Sequence, residues 1–115
     1  MRGQVESGSP VLPWGVAIVR GRSMEPGLRD GDRLLVRWGA AARPGDRVLA
    51  RFPDGTLAVK RAVERRETRT GATGWWLLSD NPAEGVDSRH RGVIAEADVL
   101  ARVSARIWPW SRRRR

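Results

Sequence analysis

Among the lysines and arginines of this chain, one residue can give up its charge, and it occurs once. Of 22 basic residues among 115, 21 are arginine and one is lysine, Lys60. Arginine keeps its proton in any protein setting, whereas a lysine shut away from water can give its proton up. A codon bias toward arginine explains most of this imbalance but not why one lysine remains. There is no cysteine and a single histidine, His90. Thiol catalysis, disulfides and Cys-based metal sites are therefore excluded, and a serine–histidine triad or a His-rich metal site lacks material. A serine hydroxyl is a weak nucleophile at neutral pH and needs a base within hydrogen-bond reach. Here any serine nucleophile needs a base other than histidine, and serine–lysine pairs are an established alternative. On a strand, alternate residues share a face. Lys60 would share its face with the small apolar Ala58 and Ala62, while Leu57, Val59 and Val63 line the other with Arg61 among them. Burial among apolar groups lowers a lysine pKa, so Lys60 is the amine expected to be desolvated. Ser23 precedes Glu25-Pro26. Proline fixes its own φ and restricts the residue before it, which can hold Ser23 in an irregular geometry. The plainer alternatives are a solvated strand lysine and a serine in an ordinary turn.

The elements that must position these groups read as short strands between turns. Gly15–Val19, Arg33–Trp38, Arg47–Phe52, Thr56–Glu67 and Trp75–Leu78 are β-like runs. Asp30-Gly31-Asp32, Arg43-Pro44-Gly45-Asp46 and Pro53-Asp54-Gly55 punctuate them, the last closing a hairpin. Asp80–Arg91 reads as a long irregular loop. Gly92–Trp110 finishes the chain, with Ala95–Asp98 turning or helical. No internal repeat and no long helical period competes, so the expectation is a mostly β domain of short antiparallel strands. Residues 1–13 read as a flexible start, 14–110 as the catalytic domain and 111–115 as a basic tail.

Three segments stand out together. The first is Gly21-Arg22-Ser23-Met24-Glu25-Pro26-Gly27-Leu28, followed by Asp30-Gly31-Asp32-Arg33-Leu34-Leu35-Val36. The second is Val59-Lys60-Arg61-Ala62-Val63. The third is Ser79-Asp80-Asn81-Pro82, continuing to Val86-Asp87-Ser88-Arg89 and Gly92-Val93-Ile94. In order and rough spacing, from about Val16 to Val103, they resemble the signal peptidase family of serine proteases. The resemblance implies a single small signal-peptidase/LexA-like β-domain, Ser23 as nucleophile, Lys60 as general base and the Ser23 backbone N–H as an oxyanion donor. It also implies Met24 beside the substrate cleft, and Arg61, Asp87 and Arg89 as supporting ion pairs. Two positions depart from the pattern. Gly21 has no hydroxyl where many relatives add one to the oxyanion hole. Gly85 stands where a serine commonly orients the lysine, and Ser88 either takes that role or caps the loop. Gly-Asp-Arg-Leu-Leu-Val-Arg and Val-Lys-Arg-Ala-Val-Glu-Arg-Arg-Glu are similar to the small nickel-type superoxide dismutase maturation proteases. That resemblance implies a protein substrate, the N-terminal propeptide of a nickel superoxide dismutase precursor. The nickel then belongs to the substrate, and no cofactor or metal is expected here.

A net charge of +9 favours anionic partners without choosing among them. The runner-up is a signal-peptidase-like processing protease with another substrate. A basic nucleic-acid-binding β-domain rests on charge alone. Self-cleaving repressors share the catalytic pair, but this chain has no room for a DNA-binding helix pair ahead of Ser23. The apolar stretch Val11–Val19 is broken by Pro13 and Gly15 and is far short of the ~20 residues of a spanning helix. A cytoplasmic enzyme is expected, or one held peripherally at a membrane by Trp108, Trp110 and Arg112–Arg115.

Overall fold

The computed structural model describes residues 13–109. The described part is one antiparallel, curled sheet of seven strands: β1 (Trp14–Ile18), β2 (Arg33–Trp38), β3 (Arg47–Arg51), β4 (Leu57–Glu67), β5 (Thr73–Leu78), β6 (Ile94–Ala95) and β7 (Val99–Trp108). Their order across the sheet is β1-β2-β7-β3-β4-β5-β6. The last strand therefore lies between the β1–β2 hairpin and the β3–β4–β5 meander. The expected mostly β domain of short antiparallel strands is what the structure contains. One four-residue helix, α1 (Ser88–Arg91), lies inside the stretch expected to be an irregular loop, and a 3-10 turn spans Glu96–Asp98. The N-terminal segment up to residue 12, Trp110 and the arginine tail fall outside the described residues.

Burial follows from where each strand sits. In β2, Leu34 and Val36 point inward and alternate with more exposed neighbours, as one covered face requires. In β3, Val48, Leu49 and Ala50 are buried in succession because both faces are covered. Two apolar clusters result. One joins Val19, Met24, Leu28, Leu34, Val36, Leu49, Val59 and Ala101. The other joins Ala42, Val48, Ala50, Phe52, Ala62, Trp75, Leu77 and Ile94. Strand β4 divides its side chains between them, Val59 to the first and Ala62 to the second, and Lys60 lies on the Ala62 side. Leu57 and Val63, expected on a lined face, are exposed because they lie toward the ends of the covered stretch.

The β4–β5 ladder carries a bulge. Arg61 faces Leu78 and Ala62 faces Leu77, but beyond the shift Glu64 faces Trp76 and Arg65 faces Trp75. A bulge changes which side chains oppose one another, and it lies two residues from Lys60.

Candidate active site

Ser23 lies on the connection between β1 and β2, which is anchored at both ends. Val19 N–H donates to the Asp32 carbonyl and Gly31 N–H to the Val19 carbonyl, each at 2.8 Å. Gly21 N–H donates to Asp30 Oδ1 at 2.7 Å and Arg29 N–H to Asp32 Oδ2 at 2.9 Å. The close aspartate pair thus acts in the turn. Met24 and Leu28, each 1% exposed, plug the connection into the first apolar cluster. Met24, which the resemblance implies beside the substrate cleft, thus has its side chain packed into the core. Ser23 itself is half-buried, and its N–H donates to no group among the described residues.

Lys60 is 2% exposed on β4. Its Nζ donates to Ser79 Oγ at 2.9 Å. Loss of hydration holds its pKa below the ordinary lysine value; the Asp87 carboxylate works against this and the Arg89 guanidinium with it. The lysine and the serine meet at Gly85. A Cβ built there would lie 2.7 Å from Ser23 Cβ, 3.1 Å from Lys60 Nζ and 3.5 Å from Ser23 Oγ. Hydroxyl and amine therefore both border the space that a side chain at Gly85 would fill, and that residue has φ +79°.

The loop after β5 holds this arrangement. Asn81 N–H donates to the Ser23 carbonyl at 2.8 Å, Asn81 Nδ2 to the Arg22 carbonyl at 3.2 Å, and Asp80 N–H to Met24 Sδ at 3.4 Å. Asp80 accepts from Arg61 Nε at 3.1 Å and Nη2 at 2.6 Å, a two-point carboxylate–guanidinium contact. Asp87 is fully buried, which by itself raises a carboxyl pKa. Hydrogen bonds from the Arg89 side chain, Ser79 N–H and Arg89 N–H outweigh this and bring it down to about 2. Those bonds measure 3.1 and 3.0 Å from Arg89 Nε and Nη2, 2.9 Å from Ser79 N–H and 3.0 Å from Arg89 N–H.

Arg61, Asp87 and Arg89 thus surround the site as two separate ion pairs, Arg61–Asp80 and Asp87–Arg89. Ser88 is buried, but its Oγ accepts from Leu77 N–H at 2.9 Å, so it ties the helix to β5 and does not touch the lysine. The hydroxyl at the lysine belongs to Ser79, which sequence alone did not single out. The single histidine, His90, has a local role: its Nδ1 accepts from Asp87 N–H at 3.2 Å and completes the cap of α1. Among the described residues, no group of three or more His, Cys, Asp or Glu could hold a metal ion. Four tryptophans carry stacked arginines, Arg37 on Trp14, Arg33 on Trp108, Arg65 on Trp75 and Arg66 on Trp76, at 4.0 to 5.1 Å. No helix among the described residues is long and apolar enough to cross a membrane.

Comparison with known proteins gives the class: the molecule is a peptidase, with signal-peptidase-like relatives. It belongs to the Peptidase S24-like family, whose model matches residues 13–103. The mitochondrial inner membrane protease subunit 1 of Xenopus tropicalis is 29% identical over 115 residues, covering 82% of this chain and 69% of that protein. The protein of the same name from Schizosaccharomyces pombe is 27% identical, covering 82% of this chain and 73% of its own length.

Proposed function

We propose that this peptidase is a serine endopeptidase working through Ser23 and Lys60. The observation that supports this most is their convergence on Gly85, together with the burial that keeps the amine short of solvent. As Ser23 Oγ attacks the peptide carbonyl carbon, its proton passes to the uncharged Lys60 Nζ. The developing oxyanion takes the Ser23 N–H, which has no partner of its own among the described residues. Lys60 then gives the proton to the departing amine; a water that loses a proton to the again uncharged Lys60 Nζ attacks the acyl carbon, and that proton passes to Ser23 Oγ as the ester bond breaks. Arg61 cannot substitute for Lys60, because it keeps its charge and is already engaged by Asp80.

For the substrate we propose the N-terminal propeptide of a nickel superoxide dismutase precursor, on the likeness of Gly31–Arg37 and Val59–Glu67 to the maturation proteases of that enzyme. Action in the cytoplasm belongs to the same proposal. The test is coexpression with such a precursor, reading the product's N-terminus by mass spectrometry. Cleavage that disappears with Ser23→Ala and with Lys60→Arg is the expected result; the arginine keeps charge and length but cannot deprotonate. Independently of substrate, p-nitrophenyl acetate should acylate the Ser23 peptide of the parent and not of either variant. Acylation without precursor cleavage would leave the dyad standing and point to another substrate, as in the general processing-protease reading. Salt-sensitive nucleic-acid binding indifferent to both substitutions, with no acylation, would replace the enzyme by a binding module.

A further inference from the structure

We infer that Ser79 is a positioning residue for Lys60, holding the amine in the orientation that faces Ser23; this rests on the dyad proposed above. A lysine side chain is long and rotatable, with about 2 kcal/mol of rotamer entropy to be overcome before its amine points one way. Lys60 Nζ donates to Ser79 Oγ at 2.9 Å between two buried side chains. A neutral amine has two N–H groups and one lone pair, so fixing one N–H restricts where the lone pair can point. The strand register brings the two together: continued one step past Arg61 and Leu78, it sets Lys60 opposite Ser79. Ser79 is itself held, since its N–H donates to Asp87 Oδ2 at 2.9 Å and Asp87 is gripped by Arg89. Other hydroxyl positions in the loop are closed. Ser88 Oγ is committed to Leu77 N–H. Gly85 carries no side chain, and a Cβ there would press Ser23 at 2.7 Å. Ser79 and Gly85 thus divide the work, one supplying the hydroxyl and the other leaving space for the reacting pair.

A hydrogen bond to the charged form of a group favours that form, so losing the Ser79 hydroxyl should make the Lys60 amine easier to deprotonate while leaving it misaimed. The experiment is the rate of Ser23 acylation by p-nitrophenyl acetate from about pH 5 to 10, with peptide mapping and subtraction of the Ser23→Ala rate. In Ser79→Ala the plateau should fall about 10- to 100-fold, the scale of a small misplacement of a reacting group. Its acid limb should move to lower pH, and Ser79→Thr should recover both features. Parental rates in Ser79→Ala would overturn the inference. So would a slowed reaction whose acid limb stays in place, because a merely structural residue changes the amount of competent enzyme and not the titration of its base. Thermal unfolding establishes that the variant is folded; should Ser79→Ala not fold, Ser79→Cys carries the same two readouts. An unreactive parent would sink the dyad, whereas a reactive parent indifferent to residue 79 would sink this inference alone.

Discussion

Replacing Gly85 by alanine adds one methyl group at the point where hydroxyl and amine converge. Its effect can be worked from the geometry. Gly85 has φ +79°, and a residue with a side chain in that region costs about 1–2 kcal/mol. The new Cβ would start 2.7 Å from Ser23 Cβ and 3.1 Å from Lys60 Nζ. Reaching ordinary contact, which begins near 3.4 Å, takes a shift of about 0.7 Å between the loop and Ser23. Ser23 yields with difficulty, because its carbonyl is bonded to Asn81 and the adjoining Met24 is packed into the core. Displacing a reacting atom by about an ångström costs on the order of 100-fold in rate. Gly85→Ala should therefore lower the melting temperature by about 5–15 °C, taking roughly 4–8 °C per kcal/mol for a domain of this size. It should also slow Ser23 acylation about 100-fold. Differential scanning calorimetry and the p-nitrophenyl acetate assay read the two effects separately. A variant that melts with the parent and acylates at its rate would mean that the loop yields freely and that Gly85 does not constrain the pair.

Asp87→Asn should cost about 2–3 kcal/mol in urea unfolding at neutral pH, since it weakens a buried carboxylate–guanidinium contact. The depressed carboxyl also fixes a pH dependence. Its folded pKa of about 2 lies below the ordinary 3.8, so its stabilisation is complete above that value and is lost as pH falls toward about 2. By linkage this amounts to about 2 kcal/mol, and the stability difference between parent and Asp87→Asn should shrink over that interval. Lys60→Met should do the opposite, stabilising an inactive protein. The folded pKa of Lys60 is lowered from 10.5, so the unfolded chain binds the extra proton and stability rises with pH through that window. The gain from methionine should be full below the folded pKa and fade as pH approaches 10.5. A gain that grows with pH in urea unfolding would contradict a desolvated amine.

The strands were largely legible because their signal is local. Arg33–Trp38 is a short β-like run with the apolar Leu34-Leu35-Val36 at its centre, and Asp54-Gly55 marks the turn before β4, so both elements fall where the local signals place them. The helix was not legible. Ser88–Arg91 has no apolar period, and its cap uses His90 at the position where a glutamate or glutamine is the usual signal. Lys60 stands out by chemistry alone, as the one lysine among 21 arginines and so the one of those 22 side chains able to lose its proton. Ser79 does not, because its place is decided by the β4–β5 register. With the pairing found beyond the bulge, where Glu64 faces Trp76, Lys60 would stand across from Asp80; the shift brings Ser79 there. A one-residue slip of that kind cannot be seen in composition or spacing. Likewise, the sequence shows Arg61, Asp80, Asp87 and Arg89 as charges, and only the folded loop shows which two pairs they form.

The position of β7 between β2 and β3 has a consequence for synthesis. Among the described residues, the hairpin carrying Ser23 and the meander carrying Lys60 are joined in the hydrogen-bonded ladder only through Val99–Trp108, the last of the seven strands in chain order. A nascent chain that has reached Asp98 already contains both groups but lacks the strand that laces the two halves together. Joining of the Ser23 half to the Lys60 half in one ladder therefore waits on residues 99–108, late in the order in which the described strands are made.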